Sequence, residues 1–365
     1  MTAIDGQVLI EGRLRPARIE IEDGRIARIE ETGRVGDRTV LPGFVDLHCH
    51  GGGGADVMEA GDAPRTIARQ HAQSGTTAWL ATTMTAPLGD IEAALGAVAE
   101  AMAAPEPEAA AIAAVHLEGP FISRDKLGAQ PDFVVDGDIA LIDRLMAIAP
   151  IRVVTCAPEA DPDGAMTRHL SGRGVRVQIG HSSCDYETAA RCFDSGRHGV
   201  THMFNAMSPL HHRAPGIVGA ALAHASHAEL IPDLLHVHPG AIRAALRAIP
   251  GLYAVTDATA AAGMPDGDYR LGAQAVRKCG NGVRLADGTL AGSSLTMFEA
   301  FTNLVSIGLS VAEASARTST IAADYLGLAD RGRIATGALA DLVVLDRDLA
   351  LSGVFLRGRP LENAG

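Results

Sequence analysis

Aromatic residues make up only 4% of this 365-residue chain, with a single Trp. Cysteine is sparse as well: the five residues at positions 49, 156, 184, 192 and 279 are odd in number and show no CxxC spacing. That pattern argues against a disulfide framework and points to free thiols in a reducing compartment, the cytoplasm. No apolar run approaches the ~18 residues of a membrane span. The opening Met1-Thr-Ala-Ile-Asp-Gly6 has no basic segment followed by a long apolar core, so no signal peptide is expected. Positive charge is also short. Lys and Arg number 31 against 43 Asp and Glu, a net charge of −12 that argues against nucleic acid or an anionic membrane as partner. An anionic small substrate would need a local basic pocket.

What the chain has in quantity is hydrophobic residues, 47%, and 41 Gly. The length suits one large domain and a small one. Residues 8–10, 18–22 and 25–30 read as short strands, with Asp23-Gly24 as a hairpin turn. The same texture returns at residues 340–346 and 353–358, so both ends are expected to build one small β-sandwich domain. The middle alternates. Apolar strand-like runs at 44–48, 77–83, 113–117, 151–157, 175–180, 199–202, 229–231 and 252–256 are separated by helical stretches such as 90–104, 138–148, 185–195 and 239–249. Eight such strands predict an α/β fold, a (β/α)8 TIM-like barrel over residues 42–333, flanked by residues 1–41 and 334–365 as the β-sandwich. Active sites in such barrels collect where strands end.

Polar residues stand at those ends. His48-Cys49-His50 closes the first strand, and alternation along a strand aims two imidazoles at one point while Cys49 faces away. Two convergent imidazoles begin a site for zinc or a similar divalent metal. Glu118 follows the apolar strand Ala113–Leu117, where an unpaired carboxylate would be costly. His181 and His202 end the fifth and sixth strands, and with Glu118 and the His pair they read as metal ligands. Asp257, at the end of the eighth, is placed to take a proton from water and pass it to a leaving group. His116 shares the face of Glu118 and is either a supporting residue behind the ligands or a packed side chain in the barrel mouth. His169, His198, His224, His227 and His238 lack a convergent partner and read as surface or helix positions, and Cys184 is not assigned as a ligand. Asn205, Ala206, Arg213 and His236 form a polar, cationic set suited to a phosphate.

Taken together, the motifs resemble the N-acetylglucosamine-6-phosphate deacetylase family of the amidohydrolase superfamily. They are His48-x-His50, His116-Leu-Glu-Gly-Pro-Phe121, Gly180-His-Ser182, His202-Met-Phe-Asn-Ala-Met207, Val255-Thr-Asp-Ala-Thr259 and Leu290-Ala-Gly-Ser-Ser-Leu-Thr-Met297. The tail from Gly332 to Asp346 is a superfamily feature as well. The resemblance implies that Glu118, His181 and His202 hold a main divalent metal, most simply Zn2+ with Fe2+, Mn2+ or Co2+ as alternatives. His48 and His50 would hold a second, bridged through Glu118, with Asp257 as proton shuttle. It further implies that Ala129, Gln130, Asn205, Ala206, Arg213, His236, Leu290, Ala291 and Gly292 line a sugar-phosphate site, Arg213 and His236 on the phosphate, and that a homodimer completes the pocket.

Three departures stand out. The family's Lys-Lys-Gly-Ala/Thr-His reads Lys126-Leu-Gly-Ala-Gln130, which replaces an imidazole with an amide that can donate a hydrogen bond but cannot carry charge. Its Asp-Gly-x-His reads Asp233-Leu-Leu-His236, and the usual Pro is absent from Ser319-Thr-Ile-Ala-Ala323. The first two keep open a related amidohydrolase acting on N-acetylgalactosamine 6-phosphate or another N-acyl substrate. A non-catalytic barrel would show loss of ligands or of Asp257, and all are present.

Overall fold

Eight short strands and the helices between them carry every residue singled out at a strand end. The computed structural model describes residues 2–33 and 36–362. The expected domain bounds also take in Met1, residues 34 and 35, and residues 363–365, which lie outside the described residues. Six strands form one parallel sheet in the order Gly199–Val200, Arg176–Ile179, Ile151–Thr155, Ala111–Glu118, Thr76–Thr83 and Phe44–Cys49. His227–Leu230 and Gly251–Ala254 form a further parallel pair. That pair meets both edges of the larger sheet: Met203 N donates to Glu229 O at 2.8 Å, and Asp257 N donates to His48 O at 2.8 Å. The eight strands thus follow one another around a barrel, as the alternation predicts.

The strands are buried along nearly their whole length because helices cover the outside, so their sequences read as continuous apolar runs rather than alternating ones. Helix starts follow capping chemistry. The Asp138 side chain accepts from Ala140 N and Leu141 N to open Ile139–Met146, and Asp185 accepts from Thr188 N to open Tyr186–Asp194. Pro239 occupies the first turn of Pro239–Ala248, where its missing N–H costs nothing.

Both ends of the chain share a second, seven-stranded sheet. Its order is Arg359–Pro360, Leu351–Leu356, Leu342–Leu345, Thr39–Pro42, Thr2–Ile10, Arg13–Glu22 and Arg25–Glu31. Asp23 (φ 49°) and Gly24 (φ 78°) make its expected hairpin turn. Val8, Ile19, Ile26, Val40, Leu342 and Val344 form its apolar core. Asp341 ties this sheet to the barrel by pairing with Arg331, while its carbonyl accepts from Gly43 N at 2.9 Å.

One element is absent from the sequence reading. Gly267–Leu271, Gln274–Cys279, Gly282–Arg284 and Leu290–Ser293 form a four-stranded antiparallel sheet after the eighth barrel strand. Its inward residues Leu271, Val276, Val283 and Ala291 pack on Met84 and Ala261 in a small separate cluster. Such short strands over so small a core leave little hydrophobic periodicity to detect.

Candidate metal centre and substrate cavity

The strand ends do not simply stop at the site. His181, His202 and Asp257 have φ of 47°, 27° and 50°, a region that non-glycine residues rarely occupy. Strain of this kind collects where a side chain must be held in a set direction. Gly51, just past His50, could not be another residue: a Cβ there would fall 2.5 Å from Ala260 N and 2.6 Å from Ala55 O.

The side chains converge. Glu118 Oε1 lies 3.1 Å from His181 Nε2 and 3.0 Å from His202 Nε2, which are themselves 3.0 Å apart. Glu118 Oε2 lies 3.2 Å from His50 Nε2 and 3.5 Å from His48 Nε2. Asp257 Oδ1 is 3.2 Å from His50 Nε2 and 3.5 Å from His48 Nε2, and the two Nε2 atoms are 3.1 Å apart. Four groups of buried residues able to hold a metal occur among the described residues: His48, His50 and Asp257; Glu118, His181 and His202; His48, His116 and Glu229; and Asp46, Cys49 and His71, of which the first two face the cavity.

The other ring nitrogens decide what these contacts are. His48 Nδ1 faces the Glu229 carboxylate at 2.8 Å, His50 Nδ1 the Thr82 carbonyl at 3.1 Å, and His181 Nδ1 the Lys126 carbonyl at 2.8 Å. Those partners only accept, so each Nδ1 carries a proton and each Nε2 is the nitrogen turned to the centre, presenting a lone pair whenever its ring is neutral. Imidazole nitrogens and carboxylate oxygens therefore face one another at about the length of a hydrogen bond, an arrangement that a proton or a cation can bridge. Divalent cations resolve that arrangement, and N and O donors suit zinc and its neighbours. The residues present fit the group.

The electrostatics agree. Burial pushes the carboxyls of Glu118 and Asp257 up, but neighbouring imidazoles outweigh it, holding Glu118 well below its ordinary value and Asp257 at about 2. Burial pushes His50 down, and Asp257 and Glu118 outweigh it to bring it to about 9. The pocket attracts positive charge. His116 is the exception: burial lowers it to about 4, so it stays neutral, its Nδ1 at 3.1 Å from Leu47 O and its Nε2 at 2.8 Å from Thr155 Oγ1. It packs beside His48, ring centroids 4.5 Å apart.

A cavity of about 250 Å³ opens above these groups. His50, Glu118, His181, His202 and Asp257 floor it, and Ala129, Gln130, Asn205, Ala206, His236, Leu290 and Gly292 line it. Gly292 (φ 59°) has no room for a Cβ, which would meet Thr259 Cγ2 at 2.7 Å and Asp257 O at 2.9 Å. Ala291 is buried beneath that wall, in the small cluster of the antiparallel sheet. Gln130 is fully engaged: its Oε1 accepts from Thr85 N at 2.7 Å, which leaves its Nε2 to donate to Glu118 Oε2 at 2.7 Å. Arg213 stands apart, exposed on the loop after the sixth strand and donating to His212 Nε2 at 2.7 Å, outside the cavity walls. His236 is held by Asp233 Oδ2 at 2.6 Å.

The sequence reading missed Glu229 and Asp46. Both are fully buried. Asp46 accepts from Thr256 Oγ1 at 2.6 Å and so pins the first strand to the last, and burial raises its carboxyl to about 6. A carboxylate inside an apolar strand was the available signal, the same one that exposed Glu118. Cys49 faces away from His48 and His50 as expected, 3.2 Å from His71 Nε2, and all five cysteines are free.

The chain belongs to the amidohydrolase family, whose profile matches residues 39–361. Within it, the chain is a member of the N-acetylglucosamine-6-phosphate deacetylase family, as its relatives show. It is 37% identical to a protein of that name from Lysinibacillus sphaericus, across 95% of this chain and 94% of the relative. It is 38% identical to an N-acetylgalactosamine-6-phosphate deacetylase of Escherichia coli O157:H7, across 96% of each. A solved structure of a mutant N-acetyl-D-glucosamine-6-phosphate deacetylase from Mycobacterium smegmatis, in complex with N-acetyl-D-glucosamine-6-phosphate, matches with a TM-score of 0.92 and 33% identity over 99% of both chains. The enzyme of that name from Thermotoga maritima matches at 0.90 and 32%, again over 99% of both.

Proposed function

We propose that this chain hydrolyses the acetamide of N-acetylglucosamine 6-phosphate, giving glucosamine 6-phosphate and acetate. The convergence of imidazole and carboxylate donor atoms on the floor of one cavity, with the Asp257 carboxylate among them, carries the reading. Glu118, His181 and His202 would hold the main divalent cation, and His48 and His50 a second that shares Glu118. Zn2+ suits this donor set best, with Fe2+, Mn2+ and Co2+ as alternatives. A bound cation supplies positive charge that makes water more acidic and a carbonyl more electrophilic.

The chain's own residues do the rest. Asp257, ionised across the working range, accepts a proton from the attacking water through its carboxylate. The water oxygen bonds to the acetyl carbon, the C–N bond breaks, and Asp257 returns the proton to the departing nitrogen. His236, held toward its protonated form by Asp233, would bind the phosphate against the chain's net charge of −12. Arg213, exposed and outside its own chain's cavity, would serve the phosphate pocket of a second copy in a homodimer. Asn205, Ala206, Ala129, Leu290 and Gly292 would shape the sugar site, with Ala291 behind it. We take residues 42–333 as the catalytic unit and, with five free thiols, the cytoplasm as its compartment.

The E. coli relative supports N-acetylgalactosamine 6-phosphate as a second substrate reading, in line with Gln130 and Leu234 where the family differs. Acetate release from the two sugar phosphates by zinc-reconstituted protein separates them: faster turnover of the gluco epimer supports the proposal, and turnover of the galacto epimer alone rejects it.

A further inference from the structure

Glu229 lies outside the proposed ligand set, yet it touches both halves of the centre. It lies on the strand His227–Leu230 with its side chain fully buried. One oxygen, Oε2, accepts from His48 Nδ1 at 2.8 Å and from the backbone N of His202 at 3.2 Å. His48 belongs to one of the two metal-capable groups that face the cavity and His202 to the other. The second oxygen, Oε1, accepts from the Tyr253 hydroxyl at 3.4 Å, and that hydroxyl accepts from Gln178 Nε2 at 2.9 Å. The carboxylate is therefore fixed from beneath by the barrel interior and faces upward to the ligands.

Its charge is answered chiefly by His48. Among the described residues its ion-pair partners are His48 and, at 3.9 Å, the neutral His116. No Lys or Arg pairs with it among the described residues. A buried carboxylate needs compensating charge, and here that charge comes through the His48 ring at 2.8 Å. A carboxylate on the far nitrogen of an imidazole also fixes the tautomer and makes the near nitrogen a stronger donor. At His202 the same oxygen holds a backbone turned to φ 27°, which strain would otherwise relax.

We propose that Glu229 is a positioning residue that couples the two cation subsites, orienting His48 in one and the backbone of His202 in the other. The inference rests on the reading of the centre as a cation site. It implies that metal-free and metal-loaded protein respond differently to its loss. Without metal, an amide at this position can still accept from His48 Nδ1; with metal, loss of the carboxylate charge weakens His48 as a donor.

The test is Zn2+ binding to chelator-stripped full-length protein, by competition with a coloured chelator, for the wild type and for Glu229→Gln and Glu229→Asp. Thermal unfolding of each is measured with and without Zn2+. Glu229→Gln is expected to bind Zn2+ roughly 10- to 100-fold more weakly, and the gap in Tm between loaded and stripped protein should narrow, chiefly through the loaded form. Unchanged affinity, or equal loss of Tm in both forms, would reduce Glu229 to packing and overturn the proposal. Should Glu229→Gln not fold, Glu229→Asp keeps the charge but retracts it from His48. Weaker Zn2+ binding supports the proposal there too, and wild-type binding overturns it. A wild type that binds no Zn2+ would reject the cation reading itself, an outcome separate from the failure of Glu229.

Discussion

The terminal sheet and the barrel mouth treat charge in opposite ways. In the sheet, charged side chains stay outside: Arg18 pairs with Asp5 and Arg15 with Glu31 at exposed positions, over a core of Val8, Ile19, Ile26 and Leu342. In the mouth, His48, His50, Glu118, His181, His202, Glu229 and Asp257 are all buried within a few ångströms of one another. A fold spends nothing to leave ions in water, whereas gathering them inside needs a compensating charge. Burial of charge, rather than its presence, is what separates the working end of this molecule from its scaffold.

The contrast can be broken first at Asp257. Asp257→Asn keeps the shape and removes the proton acceptor, so acetate release should fall roughly 10²- to 10⁴-fold, while Zn2+ content and fold, read by metal analysis and circular dichroism, persist. Comparable turnover would show that another group moves the proton. The reverse change belongs to the sheet. Ile19→Ala, at a fully buried position, should cost about 2–5 kcal/mol of stability by denaturant titration, with kcat unchanged well below the melting range. A matching loss of kcat would mean that the sheet shapes the site.

A smaller effect comes from pH. Burial pushes the His236 imidazolium down, but the hydrogen bond and charge of Asp233 outweigh it and raise the group above 6.5. A raised folded value means that this stabilisation is fully present below about pH 6.5 and is lost as pH climbs through the folded value. The KM for the phosphorylated sugar should rise over that same window by about tenfold, the scale of one charge-assisted hydrogen bond. His236→Gln should give a high KM that no longer changes there, and a KM that keeps the same pH profile in the variant would assign the titration to another group. The smallest change is Arg18→Ala: an exposed pair in water contributes little, so its Tm should match the wild type.

Much of this contrast was legible in the chain. Every proposed ligand stands at the end of an apolar run, and the strand period alone sends His48 and His50 one way and Cys49 the other. What escaped depends on distant segments meeting. Gln130 reads as a substrate contact in sequence and lines the cavity; that its amide also accepts from Thr85 N and donates to Glu118 depends on segments that meet only in the fold. Glu229 sits in an apolar strand that carries no motif, and its meaning comes from His48, 181 residues away. The antiparallel sheet over the mouth has too small a core to leave a periodic trace. Arg213 shows a different limit: sequence placed it on the phosphate, and its own chain leaves it exposed beside His212, outside the cavity.

The central claim is that these buried donors form a cation-dependent deacetylase of a phosphorylated amino sugar. The most direct measurement is acetate release from N-acetylglucosamine 6-phosphate by one preparation, first stripped with a chelator and then restored with Zn2+, with unphosphorylated N-acetylglucosamine alongside. The structure predicts loss of turnover on stripping, recovery on addition of Zn2+, and strong preference for the phosphate. Turnover that survives full removal of metal, or none from the restored protein on the phosphorylated sugar, would contradict it.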